Sequence, residues 1–179
     1  MDAVLVVVGG LPATGKSTVC AGLARARRAA WLRVDRIEDA IVRTTSLRHP
    51  VGAVGYAVAY ALAAEQLGCG IDVVAECVNP LSVTRVAWRQ VARDAHARLV
   101  EVEMICSDLA EHRRRAETRS SDIEGHRLPT WADIVARDYE PWDRTPIVID
   151  SARTSVGDAV ARIGDLAWPD PDQTASRRP

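Results

Sequence analysis

The sequence predicts an α/β fold in which helices cover both faces of a five-stranded parallel sheet. Short apolar runs alternate with longer helical segments along most of the 179 residues, which is the order that right-handed strand–helix–strand units produce. The first run, VLVVV at 4–8, is apolar without alternation, as expected of a strand covered on both faces. The length and a hydrophobic share of 47% suit one domain.

The individual elements follow from the spacing of apolar residues. Short apolar runs predict strands at residues 4–8, 30–34, 71–75, 99–105 and 147–149. Apolar residues at helical spacing predict helices at 16–28, 37–45, 53–67, 81–97, 108–118, 130–138 and 155–166. We assign residues 1–167 to a single domain, with a lid at about 113–138. Residues 168–179 lack an apolar face, which predicts a disordered tail.

Composition limits the partners that the chain is expected to have. A net charge of −1 provides no general field that would attract a nucleic acid. Cys20, Cys69, Cys77 and Cys106 lack CxxC spacing, which favours small buried side chains in a reducing compartment. No run is apolar and long enough for a membrane span, and no signal peptide is recognisable. We expect a cytoplasmic protein, either a monomer or a homodimer.

The segment GLPATGKS at 10–17 follows the first strand and opens the first helix, the context that a P-loop requires. Its glycines let the backbone approach phosphates, and Ser17 is expected to bind Mg²⁺. Lys16 is the only lysine among 23 Lys and Arg residues, and its compact ammonium can follow the β- and γ-phosphates where a planar guanidinium cannot. The predicted nucleotide-binding residues are Gly10, Ala13, Thr14, Gly15, Lys16, Ser17 and Thr18.

Two carboxylates follow neighbouring predicted strands. Asp35 ends the second strand, where it would face the γ-phosphate and deprotonate an acceptor hydroxyl. The alternative is that Asp35 caps the next helix and forms a capping box with Glu38. Glu76 ends the third strand and could hold Mg²⁺ through water or bind a substrate hydroxyl, and both roles stay open. For Asp39, a position on the surface is favoured.

The chain between the second and third strands is expected to build the acceptor site. Tyr56 and Tyr60 share a helical face and could stack on a substrate or pack in the core. Arg43 and Arg48 could meet an acidic substrate. Arg85 could bind a substrate anion or lie on a solvated helix face.

The arginine-rich segment HRRRAETR at 112–119 predicts a lid over the phosphates. Arg115 and Arg119 lie four residues apart on one helical face, where they could stabilise the charge that develops during phosphoryl transfer. Arg127 could swing in with the polar loop, and a solvated basic face is the alternative for all three. His112 lacks partners at metal-binding spacing and is interpreted as a polar group of the surface or lid.

Together, GLPATGKST, VDRIEDAI and HRRRAETR resemble the small P-loop kinases that include chloramphenicol phosphotransferase, gluconate kinase, the zeta toxins and the kinase domain of polynucleotide kinase. The resemblance reaches to about residue 166. It implies a P-loop NTPase fold with sheet order 2-3-1-4-5 and an Arg-bearing lid. It also implies that Asp35 is the base, that Lys16 and Ser17 bind phosphate and Mg²⁺, and that Arg115 and Arg119 clamp ATP or GTP.

The positions at which this chain departs from the families of this group bear on which acceptor it binds. Adenylylsulfate kinases have Asp-Gly-Asp after strand two, where this chain has RVD at 33–35, and gluconate kinases have Gly-Asp-x-x-His. Shikimate kinases have three glycines where this chain has ECV at 76–78. VDRIEDAI comes closest to chloramphenicol phosphotransferase, so we expect γ-phosphoryl transfer to a small hydroxylated molecule, such as an antibiotic or a sugar- or nucleoside-like metabolite. The alternatives are a polynucleotide 5′-hydroxyl kinase and a noncatalytic nucleotide switch.

Overall fold

A computed structural model describes residues 2–120 and 128–169 of the chain. The strands of this part are β1 (Val4–Gly9), β2 (Ala30–Arg33), β3 (Val73–Glu76), β4 (Arg98–Ile105) and β5 (Ile147–Asp150). They form one parallel sheet in the order β2-β3-β1-β4-β5. This architecture confirms the predicted α/β fold and the sheet order that the resemblance implied.

The helices that the structure describes connect these strands. They are α1 (Lys16–Arg27), α2 (Val34–Thr44), α3 (Val54–Gly68), α4 (Ser82–Asp94), α5 (Leu109–Thr118), α6 (Trp131–Val135) and α7 (Val156–Ala167). Asp108, Thr130 and Ser155 cap α5, α6 and α7 through side-chain oxygens, so each helix proper begins one residue later than predicted. In contrast, α2 begins three residues earlier than predicted, directly after β2.

The core has two halves, one on each face of the sheet. Alternation along β1 sends Val4, Val6 and Val8 to one face, where they pack with residues of α1 and α7. Leu5 and Val7 point to the other face, where α3 and α4 cover the sheet. Because both faces of β1 are buried, its sequence needs no polar positions, as the unbroken apolar run predicted.

Trp168 corrects the predicted start of the tail. Its indole Nε1 donates a hydrogen bond to Asp72 Oδ2 at 2.7 Å, and the guanidinium of Arg27 lies 5.0 Å from the indole centroid. The ordered domain therefore extends past residue 167, because the tryptophan packs against the α1–α7 side of the core. Residues 170–179, also assigned to the tail, lie outside the described residues.

The four cysteines are all free thiols. Cys20, Cys77 and Cys106 are buried as predicted, whereas Cys69 is exposed because it lies just past the last residue of α3. In the part of the chain that the structure describes, no helix has both the length and the apolar character that crossing a membrane requires.

Candidate active site

The loop between β1 and α1 is tightly wound. Gly10 has a φ of 136° and Gly15 has a φ of 88°, a region that side-chain-bearing residues rarely adopt. A Cβ atom at Gly10 would lie 2.2 Å from the carbonyl oxygen of Met104 in β4. Ala13 also has a positive φ of 66°. The loop backbone is therefore fixed in the curved form that cradles phosphates.

Lys16 lies at the centre of this loop. Its Nζ donates hydrogen bonds to the carbonyl oxygens of Gly10 at 2.8 Å and Leu11 at 2.7 Å. Burial lowers the pKa of the ammonium, and the nearby carboxylates of Glu76 and Asp35 oppose that shift. Because both hydrogen-bond acceptors are uncharged, the positive charge of Lys16 stays available for a phosphate.

Glu76 is the last residue of β3, and its side chain is almost fully buried. Its Oε1 accepts a hydrogen bond from Ser17 Oγ at 2.5 Å. Its Oε2 accepts one from Trp31 Nε1 at 3.1 Å and lies 3.3 Å from Arg33 Nε. The structure thus brings together the two residues predicted to bind the metal. It also adds Trp31 and Arg33, which the sequence analysis did not select because their partner lies more than 40 positions away.

The pair of Ser17 and Glu76 suits Mg²⁺ chemically, because hydroxyl and carboxylate oxygens are the ligands that this cation prefers. Among the residues that the structure describes, no three His, Cys, Asp or Glu side chains are grouped so that they could hold a metal. A magnesium ion at this position would therefore share its coordination sphere with nucleotide phosphates and water, as in other phosphoryl-transfer sites.

Asp35 lies in the first turn of α2 and is exposed to the cleft. The residue at the N-cap is Arg33, and no side chain caps this helix. The alternative that Asp35 caps the helix in a box with Glu38 is therefore wrong, since α2 begins earlier than the sequence indicated. The Asp35 carboxylate is not engaged in capping and faces the same cleft as Lys16.

Glu38 follows Asp35 by one helical turn and also lines the cleft. Desolvation raises its pKa to about 7, with Asp35 adding to the shift and Arg137 opposing it. The side chain lies against α3 so closely that a Cβ atom at Gly55 would be 2.2 Å from Glu38 Cγ. The sequence analysis considered Glu38 only as a capping residue.

Arg115 and Arg119, two of the arginines that the sequence assigned to a lid, line the cleft. Arg115 donates from Nη1 to Ser151 Oγ at 2.9 Å and from Nε to Glu111 Oε1 at 2.7 Å. Within the described part of the chain, the buried Nε of Arg119 has no hydrogen-bond partner. Burial lowers the pKa of Arg119, and Asp35 opposes this shift. Arg127 and the rest of the segment 121–127 lie outside the described residues.

These groups line one open cleft of about 990 Å³, at the upper end of the volumes typical of ligand sites. Its lining includes residues of the P-loop and α1, Arg115, Arg119, Ser151 and the segment 154–156. It also includes the start of α2, the segment 49–52, Tyr56 and residues near α6. The P-loop and the start of α2 therefore line one common cleft.

The structure brings only one of the two predicted tyrosines to the cleft. Tyr56 lines it, and its hydroxyl accepts a hydrogen bond from the backbone N–H of Asn79 at 2.8 Å. Tyr60 packs edge-to-face on Trp88 with ring centroids 4.6 Å apart, and its hydroxyl donates to the Thr84 carbonyl. Tyr60 therefore belongs to the core side of α3.

Arg43 and Arg48 are exposed and are not among the residues that line the cleft. Arg43 pairs with Asp39 across one helical turn, with Nη2 to Oδ2 at 3.0 Å. Asp39 itself is buried, which corrects the expectation that it lies on the surface. These arginines therefore take no part in the described cleft.

Arg85 is likewise absent from the cleft lining, and the alternative of a solvated helix face is wrong. Its side chain is 0% exposed and donates to the carbonyls of Asn79, Pro80, Glu140 and Pro141 at 2.8–3.1 Å. The guanidinium also stacks on Trp142, 4.2 Å from the ring centroid. Arg85 thus fixes the segment after β3 to the segment before β5.

His112 is buried, so the alternative that it is a polar group of the surface is wrong. Its Nε2 lies 2.8 Å from the carbonyl oxygen of Pro12 in the P-loop, and its ring packs edge-to-face on Trp131 of α6. Helix α5 therefore contacts both the P-loop and α6 through this one side chain. The sequence offered no signal for this contact, since Pro12 and His112 are 100 positions apart.

Several solved structures share this fold along almost the whole chain. An APS kinase from Mycobacterium tuberculosis has a TM-score of 0.70 and 20% identity, with 92% of this chain and 97% of that chain covered. A sugar kinase from Janibacter sp. HTCC2649 has a TM-score of 0.66 and 18% identity, with coverages of 93% and 96%. A gluconokinase from Sinorhizobium meliloti 1021 has a TM-score of 0.64 and 20% identity, with 99% of each chain covered.

These likenesses confirm the predicted P-loop NTPase fold and the resemblance to the group of small P-loop kinases. No curated protein matches the sequence. The family described as "AAA domain" matches residues 5–134. Since this match covers well over half of the chain, including the P-loop, Asp35, Glu76, Arg115 and Arg119, the protein belongs to the AAA domain family.

Proposed function

We propose that this protein is a phosphotransferase that moves the γ-phosphoryl group of ATP or GTP to a hydroxyl group of a small molecule. The observation that carries the proposal is the carboxylate of Asp35, which is exposed in the same cleft as the buried ammonium of Lys16. Transfer to a hydroxyl group calls for a general base, whereas nucleotide binding alone does not. All three neighbours described above are kinases by name.

In the proposed reaction, Asp35 accepts the proton of the acceptor hydroxyl as its oxygen attacks the γ-phosphorus. The bond between that phosphorus and the β–γ bridging oxygen breaks, and the nucleoside diphosphate leaves. Lys16 exchanges its two carbonyl partners for phosphate oxygens, and Arg115 and Arg119 stabilise the developing negative charge. The products are a phosphate monoester and the diphosphate.

Mg²⁺ is the cofactor that the residues at the P-loop fit. Ser17 would provide a hydroxyl ligand, and Glu76 would hold metal-bound water. When bound, the cation neutralises charge on the β- and γ-phosphates. The hydrogen bond between Glu76 and Ser17 supports the metal role over the substrate role for Glu76, and the acceptor is then proposed to bind at Asp35 and the residues that follow it.

The nucleotide base is proposed to lie near Thr154, Ser155 and Val156, which line the cleft. This segment precedes and opens α7. Its side chains offer hydroxyl groups and apolar contact, which suit either adenine or guanine. We therefore propose ATP or GTP without preference between them.

The acceptor is proposed to be a small hydroxylated molecule. Hydroxylated antibiotics belong in the first panel of acceptors because VDRIEDAI is closest to the chloramphenicol phosphotransferase stretch. Free thiols throughout the chain are compatible with a reducing compartment such as the cytoplasm, where the nucleoside triphosphates and Mg²⁺ are also found. The same panel should include a 5′-hydroxyl oligonucleotide, which tests the polynucleotide-kinase alternative.

The test combines this panel with the variant Asp35→Asn. Mass spectrometry of mixtures with Mg²⁺ and ATP or GTP identifies any acceptor that gains a phosphate. Loss of the base should lower kcat between 10²- and 10⁴-fold, while the nucleotide Kd stays within about twofold because Lys16 and the loop are unchanged. Asp165→Asn, on the exposed face of α7, is the matched control. Normal turnover by Asp35→Asn would refute the base assignment, and nucleotide binding without transfer to any acceptor would favour a switch.

A further inference from the structure

The described lining of the cleft includes four carboxylates, which are Asp35, Glu38, Glu76 and Asp133. It also includes Lys16 and four arginines, which are Arg33, Arg115, Arg119 and Arg137. The question for an acceptor is which of these carboxylates can still accept a hydrogen bond from it.

Two of the four carboxylates are already occupied by structural contacts. Glu76 pairs with Arg33 at 3.3 Å and accepts the Ser17 hydroxyl. Asp133 accepts hydrogen bonds from the backbone and hydroxyl of Thr130 at the start of α6. Asp35 and Glu38 remain as the pair that faces an acceptor, one helical turn apart on α2.

Glu38 is held in place by its surroundings. Its stem packs on the backbone of Gly55, where any Cβ atom would overlap with it. Among the described residues, the titratable or charged groups that interact with it are Asp35, Arg137 and Tyr56. A half-buried carboxylate with one facing arginine and one neighbouring carboxylate has capacity for a further hydrogen-bond donor, and a positively charged donor forms the stronger bond.

We propose that the acceptor is an amino alcohol or amino sugar whose ammonium group binds Glu38 while its hydroxyl lies at Asp35. The inference rests on the proposed phosphotransferase function and narrows its substrate class. Residues three apart on a helix place their Cβ atoms about 5–6 Å apart, a separation that the amine and hydroxyl of one sugar ring can span. A carboxylated acceptor would instead lie between Asp35, Glu38 and the γ-phosphate, where like charges repel it.

The experiment compares acceptors that differ only in charge. Two matched sets serve as probes: glucosamine, glucose and glucuronate, and then 2-aminopropane-1,3-diol, glycerol and glycerate. Calorimetry in the presence of ADP and Mg²⁺ measures binding without turnover, and phosphate transfer is measured separately. In each set we expect the ammonium member to bind about tenfold more tightly than the neutral member, a conservative value for a charge-assisted hydrogen bond, and the carboxylate member to bind most weakly.

Two variants and one control identify the group that is responsible for the preference for ammonium acceptors. Glu38→Gln keeps the shape but removes the charge, and should lower the ratio of ammonium to neutral binding about tenfold. Gly55→Ala should lower the same ratio, because the added methyl group displaces the Glu38 side chain. Glu65→Gln removes an exposed carboxylate from α3, outside the cleft, and should leave the ratio unchanged.

The pH dependence provides a further check on Glu38. Because its pKa is raised to about 7, the carboxyl is largely neutral at pH 6 and largely ionised at pH 8. In the set based on 2-aminopropane-1,3-diol, whose amine is still mostly protonated at pH 8, preference for the ammonium member should therefore increase as pH rises from 6 to 8 and should not change in Glu38→Gln. Equal or preferred binding of the carboxylate members would overturn this inference while leaving the phosphotransferase proposal intact. The phosphotransferase proposal itself would fail if nucleotide bound but no acceptor of any charge gained a phosphate.

Discussion

Replacing Arg85 with methionine should destabilise the fold with little direct effect on substrate recognition. The change removes four hydrogen bonds to backbone carbonyls and the stacking on Trp142. At a net value of about 1 kcal/mol for each hydrogen bond, the loss is about 4 kcal/mol. Domains of this size have free energies of unfolding of about 5–15 kcal/mol, so the variant should stay folded at low temperature but with a much smaller margin.

For a domain of this length, 1 kcal/mol corresponds to about 2–4 °C in Tm. The melting temperature of Arg85→Met should therefore fall by about 8–16 °C, as measured by circular dichroism or calorimetry. Arg93→Met, on the exposed side of the same helix, should change stability by less than about 0.5 kcal/mol. An unchanged Tm combined with a large increase in acceptor KM would refute the structural role and restore the substrate contact that the sequence suggested.

Two further variants test Lys16 and Trp168. Lys16→Arg should lower kcat at least 100-fold, because the buried pocket between the Gly10 and Leu11 carbonyls fits an ammonium and not a planar guanidinium. Turnover near that of the unmodified enzyme would contradict this role of the ammonium. Trp168→Ala should lower the free energy of unfolding by about 2 kcal/mol, which is a fraction of the cost of truncating a fully buried tryptophan. A denaturant titration that finds no change in this free energy would instead assign residue 168 to the tail.

The elements that could be predicted are those determined by local sequence. An unbroken apolar run identifies β1, and the glycines and lysine that follow it identify the P-loop, because each of these signals lies within about ten residues. Boundaries were less accurate where tertiary contacts decide them. Val34 reads as the end of a strand, yet it packs in the core as the first residue of α2.

Buried polar residues were the main source of error in the site. Arg85, His112 and Asp39 all looked like solvent-facing or substrate-facing groups, because charged side chains are rarely fully buried unless they have partners. Two of the three have partners distant in sequence, such as Pro12 for His112 and Glu140 for Arg85. Helical spacing does not reveal which distant carbonyl will lie beside a guanidinium or an imidazole.

The position of Asp35 relative to the P-loop depends on strand register, and local sequence does not determine that register either. Arg33 pairs with Glu76 across β2 and β3, and Glu76 pairs with Val8 across β3 and β1. This register places the Glu76 carboxylate between Ser17 of the P-loop and Arg33. Arg33 lies two residues before Asp35 in the chain. A slip of one residue in β3 would turn Glu76 to the opposite face of the sheet and remove the contact between the proposed metal side and the end of β2. The shared cleft of Asp35 and Lys16 is therefore a consequence of sheet packing around β1, and the residues that supply the chemistry are positioned by the apolar strands between them.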